Sequence, residues 1–130
     1  MTRAAPSVLI LEPNALQCDL IKLALTRHHL TPIVCDRPED LRQRLSESLP
    51  DVLLVDTHLR GQNGLDLVGE LCSDDLLNRT KIFFISSLAF PEIIQKAAMI
   101  GASGFLVKPL NVDLLVSRIL TSLGRPHILN

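Results

Sequence analysis

The chain has 130 residues, 47% of them hydrophobic and 21% charged, which suits one domain with a real core. Lys+Arg is 13 against Asp+Glu 14, a net charge of -1, which excludes the basic excess of a nucleic-acid-binding surface. Cys18, Cys35 and Cys72 form no CxxC pair, which argues against a zinc site or disulfide framework, and no apolar run reaches the ~20 residues of a membrane span.

The N-terminal MTRAAPS leads into a short apolar run ending at Glu12, so it reads as the start of the domain and not as a signal peptide. That run, Val8–Leu11 with Ser7 at its start, predicts a strand buried on both faces. A helix is expected over Ala15–His28, with Leu16, Leu20, Leu23 and Ala24 turned inward. Pro32–Cys35 is the second strand. Asp36 and Glu39 have the spacing of a capping box for a helix over Pro38–Ser48 that buries Leu41 and Leu45. Val52–Val55 is the third strand, followed by a helix over Gly64–Leu77 carrying Leu67, Leu71 and Leu76. Ile82–Ile85, running to Ser86, is the fourth strand; Pro91–Ile100 is a helix with Pro in its first turn. Phe105–Val107 is the fifth strand, and a last helix opened by Asn111 or Asp113 runs through Leu123. Adjacent Phe83 and Phe84 point to opposite faces and both read as core.

Five β/α units in succession argue an α/β fold: a doubly wound, flavodoxin-like, five-stranded parallel sheet of order 2-1-3-4-5 with five helices. Residues 1–123 form the domain, and 124–130 a tail or linker stub. In such a sheet the ligand sits outside the carboxyl ends of the strands, at the switch point between the first and third. Glu12, Asp56, Ser86 and Lys108 each follow or end an apolar run. The fold therefore gathers two carboxylates, a hydroxyl and an ammonium at one edge. Any one of them alone would be an ordinary polar strand end.

The stretches DVLLVDTHLRGQNGLDL, FFISS and GASGFLVKPL resemble the receiver domain of two-component response regulators, over nearly the whole chain. The resemblance implies that Asp56 accepts a phosphoryl group from a sensor histidine kinase or phosphotransfer protein, and that a downstream effector protein or domain reads the result. It assigns phosphoryl binding to Ser86 and Lys108, switch positions to Ser86 and Phe105, and a cis bond to Lys108–Pro109. It implies Mg²⁺ held by Glu12, Asp56 and the backbone carbonyl of His58. Such a domain is not an enzyme beyond catalysing its own phosphorylation.

The residue types suit that chemistry. A carboxylate is a weak nucleophile, but phosphohistidine is a reactive donor, so the domain has only to position and neutralise. Mg²⁺ takes one or two carboxylates with phosphate oxygens and water, and a lysine acts as a compact point charge. Gly61 and Gly64 allow the loop after Asp56 to turn tightly.

The chain departs from the family at two places. Where the family has a pair of acids, this chain has Glu12 and Pro13, and proline has no ligating side chain. Weak Mg²⁺ binding follows, with Asn14 as a substitute neutral oxygen. Where the family has Met-Pro, this chain has Leu59 and Arg60, and Arg60 either brings a cation to the acids or faces solvent.

The alternative function is a pseudo-receiver, a protein-interaction module that makes no use of phosphate; the Glu12–Pro13 pair supports it, and intact Asp56, Ser86 and Lys108 oppose it. A flavodoxin-like cofactor binder or small hydrolase is disfavoured, because EPNA is not a phosphate loop and DTHLR has no second acid two residues after Asp56. His28, His29 and the His58 side chain read as surface groups. Phe105 is either a core ring or a rotamer switch. The three cysteines read as small apolar residues of a cytoplasmic protein. The last two helices carry few charges, and GASGF lacks an acidic pair, so a monomer or weak apolar dimer is expected, with no membrane and no direct nucleic-acid contact.

Overall fold

A computed structural model describes residues 5–125. Strands β1 (Ser7–Leu11), β2 (Thr31–Val34), β3 (Val52–Asp56), β4 (Lys81–Ser86) and β5 (Gly104–Val107) alternate with helices α1 (Ala15–Arg27), α2 (Leu41–Glu47), α3 (Gly64–Ser73), α4 (Pro91–Ile100) and α5 (Val112–Ser122). The strands form one parallel sheet in the order β2-β1-β3-β4-β5, as expected. The register sets Leu9 beside Ile33 and Leu53, and Asp56 beside Ile85.

Alternation along the strands divides the core into two layers. Val8, Ile10, Val52, Leu54, Phe83 and Ile85 face α1 and α5. Leu9, Leu11, Leu53, Val55, Ile82 and Phe84 face α2, α3 and α4. Phe83 and Phe84 thus anchor opposite layers, as their adjacency requires.

Three expectations are corrected. On α1 the buried residues are Cys18, Ile21 and Leu25, while Leu16, Leu20 and Leu23 are exposed at 70%, 46% and 52%. Both stripes have helical spacing. At the entry from β1, Asn14 caps the helix by accepting from Gln17 N at 2.8 Å.

The capping box at Asp36 and Glu39 does not form. A 3₁₀ turn over Pro38–Asp40 precedes α2, and the Glu39 carboxylate lies 3.1 Å from Arg37 Nε. Leu41 and Leu45 are nevertheless buried. Helix α3 stops at Ser73, short of Leu77. Asp75 adopts a left-handed φ of 58°, which reverses the chain and returns the Leu76 N–H to Leu71 O at 3.0 Å. Of the proposed tail, residues 126–130 lie outside the described residues.

Candidate functional site

The carboxyl edge of the sheet is where β1, β3, β4 and β5 deliver their last side chains. Glu12 follows β1, Asp56 ends β3, Ser86 ends β4 and Lys108 follows β5. The Lys108 backbone N–H donates to Ser86 O at 2.8 Å, which carries the pairing of β4 and β5 to the site. The Lys108–Pro109 peptide bond is cis.

The Lys108 ammonium donates to Glu12 Oε1 and to Asp56 Oδ2, each at 2.5 Å. Both carboxylates are buried, the Glu12 side chain completely. The second Asp56 oxygen, Oδ1, accepts from the backbone N–H of His58 at 2.8 Å. Asp56 is therefore held at both oxygens.

Burial pushes the Glu12 carboxyl up, and Asp56 beside it pushes further; Lys108 opposes both, and the result is a rise from an ordinary 4.5 to about 7. Burial works against the Lys108 ammonium, but hydrogen bonds and charge from Asp56 and Glu12 outweigh it, so its pKa is raised.

These shifts have a sign in stability. An acid whose folded pKa lies above its unfolded value binds more protons folded than unfolded. Glu12 is therefore best accommodated below pH 4.5 and becomes a liability as pH rises through about 7. Glu12→Gln, which stays neutral, should gain stability relative to wild type across that interval, by a few kcal/mol at most. Urea denaturation of both proteins at pH 5 and pH 8 checks this, and a pH-independent difference would contradict it.

The donor set bears on a hard cation. Glu12 Oε2 is buried and has no hydrogen-bond partner among the described residues. Together with Asp56 it forms a carboxylate pair suited to a cation that keeps most of its water. No cluster of three or more His, Cys, Asp or Glu able to hold a metal occurs among the described residues, so the pair stands without a third acid. The Asn14 side-chain oxygen, the expected substitute ligand, caps α1 by accepting from Gln17 N at 2.8 Å. Arg60 is exposed and lines a cavity of about 370 Å³ with Glu12, Pro13 and Lys22.

Ser86 is fully buried, and Thr57, which the sequence reading does not single out, donates to Ser86 Oγ at 2.6 Å. The only sequence signal for this contact is a hydroxyl directly after Asp56, level with a second hydroxyl on the neighbouring strand. Gly64 opens α3 with its N–H on Thr57 O at 2.9 Å. Asn63 caps that helix by accepting from Leu65 N at 2.8 Å. Phe105 is half-buried against the layer under α2, α3 and α4. His58 is exposed, and its ring Nδ1 lies 3.1 Å from Thr57 Oγ1.

Comparisons with known proteins bear on the family and the fold. The family model of the response regulator receiver domain matches residues 8–120. The transcriptional regulatory protein KdpE of Staphylococcus aureus is 30% identical over 112 residues, covering 86% of this chain and 47% of that protein. The transcriptional regulatory protein CrdR of Helicobacter pylori is 28% identical, covering 86% of this chain and 52% of that protein. The chain thus spans about half the length of these two relatives. The Francisella response regulator 1452 receiver domain superposes with a TM-score of 0.84 at 20% identity, over 92% of this chain and 98% of that one, a likeness of fold. With its sheet order, its strand-end residues and the family match over residues 8–120, the chain belongs to the response regulator receiver domains.

Proposed function

We propose that this receiver takes a phosphoryl group onto Asp56 from a sensor histidine kinase or a phosphotransfer protein, and that a downstream effector protein or domain reads the change. The observation that carries this is the Lys108 ammonium lying on Asp56 and Glu12 together, with the Lys108 backbone N–H on Ser86 O, at the carboxyl edge of the sheet.

In the transfer, an Asp56 carboxylate oxygen attacks phosphorus. The P–N bond to the donor imidazole breaks, its electron pair leaves with the ring, and an acyl phosphate remains on Asp56. Lys108 then has phosphoryl oxygens to pair with in place of the bare carboxylate, and the Ser86 hydroxyl donates to one of them. Mg²⁺ held by Glu12, Asp56 and the His58 carbonyl would supply further positive charge against those oxygens.

Exposed apolar side chains support protein partners. Leu16, Leu20 and Leu23 form a stripe on α1, the helix that follows Glu12. Ile94, Met99, Val107 and Leu114 are exposed on α4, β5 and α5, which supports effector contact or weak apolar pairing. Among the described residues no helix is long and apolar enough to cross a membrane; a cytoplasmic setting is part of the same proposal.

Incubation with a small phosphodonor and Mg²⁺ should add one phosphoryl group by intact mass, and Asp56→Asn should abolish it. An unmodified wild type would favour the pseudo-receiver. Pro13→Asp restores a third acid and should tighten Mg²⁺ binding by about tenfold, read by calorimetric titration. Unchanged affinity there, with Glu12→Ala also without effect, would remove the metal from the mechanism.

A further inference from the structure

The Ser86 hydroxyl belongs to a hydrogen-bond chain that runs through Thr57. Ser86 Oγ accepts from Leu88 N at 3.0 Å and from Thr57 Oγ1 at 2.6 Å. Ser86 and Thr57 are both buried. A hydroxyl has one proton and two acceptor lone pairs. With both acceptor directions of Ser86 filled, its proton is the one part of the group left to donate. Thr57 spends its own proton on Ser86, so its oxygen accepts in turn. His58 Nδ1, 3.1 Å away, is placed to supply the N–H. The Thr57 backbone is fixed at both sides of the peptide plane, its N–H on Ile85 O at 2.9 Å and its carbonyl accepting from Gly64 N at 2.9 Å. The hydroxyl is thus presented from backbone pinned directly after the end of β3.

We propose that Thr57 is a positioning residue for phosphoryl recognition: by donating to Ser86 Oγ it leaves the Ser86 proton as the donor to a phosphoryl group on Asp56. This rests on the phosphoacceptor reading above. A buried hydroxyl that lost this partner would have its proton free to rotate, and Ser86 would no longer be committed to donating outward. The opposite direction, Ser86 donating to Thr57, makes the opposite prediction: removing Thr57 would release the Ser86 proton and strengthen phosphoryl binding.

The test is a titration of the whole chain with beryllofluoride and Mg²⁺, as a phosphoryl mimic on Asp56, followed by amide resonances. The proteins are wild type, Thr57→Val, Thr57→Ser, Ser86→Ala and the Thr57→Val/Ser86→Ala double variant. Thr57→Val should weaken binding by about tenfold, and Thr57→Ser should restore it. The double variant should bind no worse than Ser86→Ala, because Thr57 acts only through Ser86. Should Thr57→Val fold poorly, Thr57→Ala is titrated in its place, and loss there with full binding by Thr57→Ser carries the same meaning. Binding unchanged or tightened in Thr57→Val overturns the proposal, as does an additive double variant. A wild type that binds no beryllofluoride overturns the phosphoacceptor reading itself, a result distinct from a competent wild type with an indifferent Thr57→Val.

Discussion

Gly64→Ala should unfold more readily than wild type by roughly 3 kcal/mol and should lose phosphoryl uptake even where it remains folded. A Cβ at this position would stand 2.2 Å from Asp56 O and 3.1 Å from Val55 Cγ1. Backbone, not a flexible side-chain end, is the obstacle, so relief requires α3 and the end of β3 to part. That movement displaces Asp56, the proposed phosphoacceptor. Gly61→Ala provides the contrast. Gly61 has φ of 70° with nothing within 4 Å of its Cβ direction, so alanine there meets only the left-handed penalty of about 1–2 kcal/mol. Urea midpoints of the two variants separate a packing clash from a local backbone cost. A Gly64→Ala protein as stable as wild type would contradict the close approach of α3 to Asp56.

Lys108→Met should be the second large effect, and it should depend on pH. Methionine keeps the length of the stem but leaves Glu12 and Asp56 side by side without their shared cation. Removing one partner of a buried ion pair typically costs about 3–5 kcal/mol. The Lys108 side chain is 21% exposed, which places this site at or below the lower end of that range. Because the folded pKa of Lys108 is raised, its contribution is complete below an ordinary 10.5 and is lost only as pH rises through the higher folded value. The deficit should therefore be fully present at pH 8. It should shrink near pH 5, where protonation of Glu12, already favoured in the folded protein, removes the repulsion. Denaturation at both pH values reads this directly. Equal stability of Lys108→Met and wild type at pH 8 would contradict it.

The sheet was legible because its signal is strong: buried parallel strands read as unbroken apolar runs, and each β/α unit repeats the same pattern. Strand ends fall within one residue of expectation, and strand-end logic brought Glu12, Asp56, Ser86 and Lys108 to one edge. What periodicity could not decide was the phase of α1. That helix carries leucine or isoleucine on two stripes, and hydrophobic spacing alone does not choose between Leu16–Leu20–Leu23 and Cys18–Ile21–Leu25. The capping box does not form: the turn over Pro38–Asp40 starts from Arg37 with no side-chain cap, and the Glu39 carboxylate pairs with Arg37. Asn14 illustrates a competition of the same kind. A side-chain oxygen beside a charged pocket is also an ideal helix cap, and the cap takes it. Thr57 carries no local signal, because its partner lies 29 positions away, on the neighbouring strand.

The proposed phosphorylation of Asp56 is open to one direct measurement. The chain is treated with a small phosphodonor and Mg²⁺, reduced with borohydride, and mapped by peptide mass. An acyl phosphate on an aspartate is reduced to homoserine, which marks the acceptor permanently. Homoserine at position 56, absent when the phosphodonor is omitted and absent in Asp56→Asn, is the expected result. Reduction at Glu12 in place of Asp56, or no reduced residue at all, would contradict the assignment of Asp56 as the phosphoacceptor.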